Sequence, residues 1–331
     1  MKKLFFILAA AAGILVSCTK NEVAPAEPQE ITYMTAPVTK DPLTFAAANR
    51  FRTWAFHDQA DWSSASTTAE LYLGGTSGLE IQKVGDVWKN DTQAYYWPKT
   101  GKLTFYSYSL NKAGTFLTAG EVACSNNGIT VTGYDVVENL DVDFMVADQA
   151  EDLTANKTIY GTSGVPTLFK HKLSNVIFEV QTADDYAGKT FTLKSITLNG
   201  VAKVANYAQN PGGTEAWGYT STTNVVFSDE EKVFSKSTVI TPAAKQSYYI
   251  PQKFLNSDDV NVTIVYDITT NNGSGTTTET VTVPTKLYDI FGLGWEIGKK
   301  YTCTVTIGLN EINWAPAVVE WENGSGGSWA I

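Results

Sequence analysis

The stretch Tyr301-Thr-Cys-Thr-Val-Thr-Ile-Gly-Leu309 alternates without a break. Tyr301, Cys303, Val305, Ile307 and Leu309 fall on one side, with Thr302, Thr304, Thr306 and Gly308 on the other. A period of two sends successive side chains to opposite faces of an extended chain, so this stretch predicts a β-strand with one buried and one wet face. A second stretch repeats the pattern. Val260, Val262, Ile264, Tyr266 and Ile268 share a face, opposed by Asn261, Thr263 and Asp267. Leu103, Phe105 and Ser107 alternate with Thr104, Tyr106 and Tyr108, Val176 to Val180 is a short apolar strand, and Phe191 to Leu198 alternates with some slippage. Beyond the first residues, nothing shows the 3.6-residue period of a useful amphipathic helix.

Turn chemistry separates the strands. Asn-Gly at 127–128 and 199–200, Asn-Asn-Gly-Ser-Gly at 271–275 and Gly-Lys-Lys at 298–300 predict tight turns. Short antiparallel strands joined by such turns predict an all-β chain of β-sandwich, Greek-key type. The 331 residues suffice for two domains. The boundary is expected at the Gly161-Thr-Ser-Gly164 loop, giving one sandwich over 31–164 and another over 165–331. The Gly/Ser-rich tail from Asn323 to Ile331 reads as flexible apart from its apolar end.

The N-terminus carries an address. Lys2 and Lys3 precede an apolar run from Leu4 to Val16, too short for a comfortable membrane span, which ends in Leu15-Val-Ser-Cys18. Small residues before a lone cysteine form a lipobox, so 1–17 reads as a lipoprotein signal peptide and Cys18 as the acylated first residue of the mature chain. Two or more acyl chains make a stable anchor. Thr19 in place of Asp favours sorting to the outer membrane of a Gram-negative cell. Residues 18–30 are polar and Pro-bearing and read as a tether.

The formal charge is −10, and loss of Lys2 and Lys3 lowers it by two, to −12. Such an acidic surface without a basic cluster argues against nucleic acid as a partner. Chemistry is sparse. His57 and His171 stand far apart, and no metal-ligand pair, nucleophile elbow or P-loop occurs. His171 reads as a packing or hydrogen-bonding residue. The acidic run from Asp141 to Asp152 lacks a calcium-loop pattern, and no cofactor, metal site or catalytic constellation is expected. Cys124 and Cys303 are two thiols that an oxidising compartment would let pair, but Cys303 lies in a strand pattern and reads as a buried free thiol.

Several segments together carry a resemblance. They are the lipobox at Cys18, Ile31-Thr-Tyr-Met-Thr-Ala-Pro-Val-Thr-Lys40, Phe51-x-x-Trp54-Ala-Phe56, and Tyr96-Trp-Pro98 followed by Leu103 to Tyr108. Asp143-Phe-Met-Val-Ala147, Phe169-x-His171-x-Leu173-Ser-Asn-Val176 and Tyr249-Ile-Pro-Gln252 follow. Trp295-x-x-Gly298-Lys-x-Tyr301, Ile312-x-Trp314 and Val319-x-Trp321 close the series. In this order the chain resembles the fimbrillin-like lipoproteins of Bacteroidota, the subunits of type V pili. The resemblance implies two transthyretin-like sandwich domains, export as a lipidated precursor, and proteolytic removal of an N-terminal segment that includes the first strand. It further implies that a strand from a neighbouring subunit fills the vacated groove.

Arg50 and Arg52 are the only arginines in the chain and sit two positions apart. In the light of the resemblance either is a candidate processing site, Arg50 being preferred because Phe51 to Phe56 reads as a strand. Lys40 lies nearer the usual place of the basic residue but departs from an arginine-specific cut. The alternative is that the pair merely decorates a strand. Upstream apolar residues Ile31, Tyr33, Met34, Val38, Leu43 and Phe45 are candidates for the removed strand. Trp314, Val318, Val319 and Trp321, or the end Trp329-Ala-Ile331, are candidates for the donor. The expected partners are other fimbrial subunits and the outer membrane through the lipid. The competing reading is a monomeric surface lipoprotein that binds a host glycan or protein through loop tryptophans such as Trp62 or Trp217.

Overall fold

The computed structural model describes residues 27–35, 50–63, 68–112, 115–116, 120–138, 142–155, 164–209 and 215–321. The chain is almost entirely β. Its first strands are β1 Tyr33–Met34, β2 Phe51–Asp58, β3 Glu70–Leu73, β4 Leu79–Val84, β5 Val87–Lys89, β6 Lys102–Ser109, β7 Asn111–Lys112 and β8 Thr115–Phe116. There follow β9 Glu121–Ser125, β10 Gly128–Asp135, β11 Met145–Ala147, β12 Ala150–Leu153, β13 Val165–Pro166, β14 Phe169–His171, β15 Ser174–Thr182, β16 Lys189–Ala208 and β17 Ala216–Ser228. The last are β18 Lys232–Phe234, β19 Tyr248–Tyr249, β20 Gln252–Lys253, β21 Asn261–Asn271, β22 Thr276–Lys286, the short helix α1 Leu287–Phe291, β23 Gly294–Trp295, β24 Lys299–Ile307 and β25 Ile312–Glu320.

Three sheets organise the fold. The first has the order β13-β1-β5-β4-β2-β6-β11-β14, with β3 on β2 and β12 on β6. The second runs β22-β21-β16-β10-β9, with β17 and β18 on β16. The third runs β19-β15-β24-β25. The third sheet lies on the near half of the second. Val176, Phe178 and Val180 of β15 and Tyr301, Cys303, Val305 and Ile307 of β24 share a core with Phe191, Leu193, Ile196 and Leu198 of β16 and Val262, Ile264 and Tyr266 of β21. The period-two reading of β21 and β24 therefore identifies the two inner faces of one sandwich. Leu309 is the exception: β24 ends at Ile307, and Leu309 is 47% exposed.

The first sheet is buried on both sides. Leu103 and Phe105 of β6 enter one core with Phe51, Trp88, Trp97 and Phe169, whereas Tyr106 and Tyr108 enter another with Trp54, Tyr134, Phe144 and Tyr207. Alternation that reads as half-wet in the sequence is, in β6, a change of core.

Two expectations are corrected. The pairing is not wholly antiparallel: β15 runs parallel to β24 over eight residues, from Asn175↔Lys300 to Thr182↔Ile307, and β1 runs parallel to β13. A parallel neighbour needs a long crossover, and the excursion of the chain through the second sheet supplies it. Nor does Asn199-Gly200 make a turn. It sits inside the twenty-residue β16 as a bulge, where the register with β17 shifts between Leu198 and Val201 and Gly200 has φ 74°. Glycine in the left-handed region serves a bulge as well as a hairpin. The strand therefore continues past the bulge. Its near half pairs with β21 and its far half, from Val204 to Ala208, with β10. The second sheet thus joins strands from both sides of residue 165, and β13 and β14 join the first sheet.

Candidate functional site

The candidate site comprises the first and last described strands and the arginines at the start of β2. Near the N-terminus, β1 is enclosed. Tyr33 faces Val165 of β13 on one side and Trp88 of β5 on the other. The backbone of Ile31 donates to the Tyr95 carbonyl at 2.7 Å, Val165 donates to Thr32 at 2.8 Å, and Thr167 donates to Met34 at 2.7 Å. Ile31 and Tyr33 are 3% and 4% exposed. The Tyr33 ring meets Phe51 edge-on at 5.5 Å and Phe105 at 6.0 Å, and its burial pushes the phenol pKa well above its ordinary value of 10.0. Lys89 reaches Glu30 at 3.2 Å. Gly164, with φ 102°, passes so close that a Cβ there would lie 2.7 Å from the Thr32 carbonyl oxygen. The slot is shaped around this one segment.

The arginines stand at the start of β2. Arg50 precedes the strand, its carbonyl accepting from Ser109 Oγ at 2.7 Å and its guanidinium meeting Glu80 at 2.6 Å. Arg52 lies within the strand, paired with Tyr108 of β6 on one side and Glu80 of β4 on the other. A protease binds its substrate as an extended single strand, so the bond after Arg52 is masked by two neighbours while the bond after Arg50 is at the margin.

At the other end, β25 is an edge. It pairs with β24 from Ile307↔Ile312 to Lys299↔Glu320 and with no other strand among the described residues. Trp314 is half-buried, 6.4 Å from Phe178. Val318 and Val319 are 52% and 57% exposed. Trp321, just beyond the strand, stacks on His171 with ring centroids 3.6 Å apart and planes at 6°, and on Tyr248 at 5.1 Å and 16°. His171 Nδ1 lies 2.5 Å from Asp143 Oδ2, so the packing and hydrogen-bonding role read for it is what it performs. Cys18, Lys40, Val38, Leu43, Phe45, Asp141 and the end at Trp329 and Ile331 lie outside the described residues.

The model of the family described as fimbrillin-like matches residues 38–321. The chain belongs to the fimbrillin-like family. A fimbrial protein of Bacteroides vulgatus, 17% identical, superposes with a TM-score of 0.57 over 88% of this chain and 99% of its own. A candidate cell adhesion protein of Bacteroides uniformis, 15% identical, gives 0.51 over 89% and 99%. At such identities the likeness speaks for the fold. No curated protein matches the sequence. Membership marks a structural, non-enzymatic protein and supports a role as a fimbrial subunit at the cell surface.

The rest of this fimbrillin-like chain fits a structural role. Trp217 is not a loop residue: it lies in β17, packs against Tyr134, Phe144 and Tyr207, and donates from Nε1 to the Lys172 carbonyl at 2.7 Å. Trp62 is half-buried against Phe56 and Tyr106. Both indoles are half-buried and each meets other aromatic rings. Described members of the acidic run meet protein partners, Asp148 meeting Lys170 at 2.7 Å and Asp152 accepting from the Trp62 amide at 2.9 Å. Burial lowers the Lys172 pKa, and Glu215, 2.7 Å away, opposes that shift. Cys124 and Cys303 are both free, and burial pushes the Cys303 thiol up to about 12. Among the described residues no helix is long and apolar enough to cross a membrane.

Proposed function

We propose that this chain is a fimbrial subunit exported as a lipoprotein precursor acylated at Cys18, matured by a cut after Arg50, and polymerised when a neighbour's strand replaces β1. The observation that carries the reading is β1 itself. It lies upstream of the arginines, it is the strand that joins β13 to β5, and it roofs the core of Phe51, Phe105, Trp88 and Phe169. A cut after Arg50 severs β1 from everything that follows without breaking a strand. Taking out Ile31 and Tyr33 removes about 1.5–3 kcal/mol of burial each, and the freed edges of β13 and β5 add to the loss. A domain stable by about 5–15 kcal/mol does not comfortably leave such a slot empty, which is what drives strand addition.

In this reading the receiving body is 31–164, completed by β13, β14 and the far half of the β16–β17 hairpin. The body over 165–331 carries the outgoing segment, either 312–321 or the tail beyond it. The lipid of Cys18 places the precursor at the outer membrane.

Intact mass and N-terminal sequencing of the protein taken from its native cell surface test the proposal. A new N-terminus at Phe51 supports it, and one at Asp41 or Thr53 moves the cut to Lys40 or Arg52. A single species with acylated Cys18 sinks maturation, and leaves an uncut lipoprotein whose arginine pair belongs to strand β2.

A further inference from the structure

We propose that Trp321 is a latch. It docks in an aromatic slot formed by His171 and Tyr248, holds the far end of β25 on the unassembled subunit, and sets how readily the C-terminal segment becomes available to a neighbour. The last clause rests on the assembly reading above; the docking does not.

Three observations carry the inference. The first is the weakness of the strand that the latch ends. From Pro316 to Glu320 every residue of β25 is exposed. Register with β24 places Pro316 opposite Cys303 and Val318 opposite Tyr301, the residues that face the core, yet neither is covered. Pro316 brings no amide donor to the ladder. Burial therefore does little to hold this half of β25.

The second is where Trp321 goes. Trp314 of the same segment packs against the core of the third sheet, whereas Trp321 packs against a different core, the one that contains Trp54, Tyr106 and Tyr134. The segment is pinned at both ends, to two different cores, with an unsupported middle. At the Trp321 end the backbone also closes, its amide donating to the Gly298 carbonyl at 2.7 Å, while the Gly298 amide donates to Leu173 at 3.1 Å. Lys299 and Glu320 form an ion pair beside it.

The third is the preparation of the slot. His171 is 8% exposed and its ring is held by Asp143 at 2.5 Å, so the imidazole presents a fixed face rather than a rotating one. The indole plane lies nearly parallel to that face and to the Tyr248 ring. Asp143 precedes β11 and His171 ends β14, so the His171 side of the slot belongs to the first sheet, whereas Tyr248 of β19 belongs to the sheet that carries β25.

Hydrogen exchange on the uncut, full-length protein tests the latch. Trp321→Ala should raise exchange of the amides in 312–320 by about tenfold or more, the scale of losing two stacked aromatic contacts, while β16 and β21 keep their protection. Tyr248→Ala should do the same in lesser degree. Trp321→Phe should restore much of the protection, and Lys299→Ala, which removes only the ion pair, should change exchange about twofold or less. Unchanged exchange in 312–320 for both Trp321→Ala and Tyr248→Ala overturns the proposal. So does loosening that spreads equally through β16 and β21, because it would mean general destabilisation. Assembly of the processed variant is a separate readout. Looser exchange with a shorter assembly lag supports both ideas, whereas looser exchange with an unaltered lag keeps the docking, overturns the control of availability, and counts against 312–321 as the donor.

Discussion

The first and last described strands are opposites. β1 is two residues long, yet it has a neighbour on each side, and Ile31 and Tyr33 flanking and within it are almost fully buried. β25 is nine residues long, has one neighbour, and exposes half of Val318 and Val319. Length measures ladder, whereas burial measures free energy. The short strand is therefore expected to hold the larger share of stability, and the long one is held by a ladder and two tryptophans. If the assembly proposed above is right, the deeply seated N-terminal strand is the one that must be removed by force and the loosely seated C-terminal strand the one that is free to leave.

The sharpest way to break that comparison is to cut it. Cleavage between β1 and β2 at a site engineered into 36–49, followed by removal of the N-terminal peptide, should cost about 5 kcal/mol or more. Chemical denaturation measures it, and excess peptide spanning 27–36 should restore most of the loss. Truncation before Ile312 should cost less. If the two truncations cost the same, the contrast between the ends is wrong.

Alkali should find the same asymmetry. Burial raises the phenol pKa of Tyr33, Tyr134 and Tyr207 in the two cores of the first sheet, and of Tyr249 in the other sandwich. A group whose folded pKa is raised keeps its full contribution below the unfolded value, near 10, and loses it as pH rises beyond. The protons stay on in the folded chain and leave the unfolded one, so stability falls by about 1 kcal/mol per tyrosine by pH 11. Burial raises Tyr106 and Tyr108 in the first body and Tyr266 and Tyr301 in the other as well, so the body around the first sheet, with five such groups against three, should open first, read as exchange of β2 and β6 before β21 and β24.

What the sequence made legible follows from which signals are local. β21 and β24 declared themselves because each has one wet face, and threonine alternating with an apolar residue records it. β6 declared itself as a strand but not as a wall between two cores, because tyrosine and phenylalanine look alike whichever core they enter. Asn199-Gly200 looked like a turn because a bulge and a hairpin ask the same of glycine. The parallel pairing of β15 with β24 left no trace, since the partners lie more than a hundred residues apart. Trp62 does lie between strands, but Trp217 belongs to β17, and a lone aromatic among polar neighbours carries no period that would show it. β1 was legible only as apolar residues upstream of the arginines, and the Trp321 slot not at all: His171 could be read as a packing residue, but its partner is fixed by the register of β25.

Smaller effects separate the ends further. Tyr33→Ala should destabilise by about 3 kcal/mol, as a buried aromatic does. Gly164→Ala should cost about 2 kcal/mol, because it places a Cβ against the Thr32 backbone at a φ that disfavours a side chain. Trp314→Ala, half-buried on the edge, should cost about 1–2 kcal/mol. Thermal denaturation of the uncut protein ranks all three.

The smallest expected effect is the most informative. Val319 is 57% exposed and points away from the core side of β25, so Val319→Lys should leave the free subunit within about 0.5 kcal/mol of the parent. An exposed valine on an edge strand is a poor choice for a chain that only needs to stay soluble, since lysine is what edges ordinarily carry. If β25 becomes a donor, that valine is buried in a neighbour and a lysine there is expensive. The variant should therefore melt with the parent and fail to assemble. If it assembles normally, β25 stays on its own subunit, and the outgoing strand must lie in the residues after Trp321.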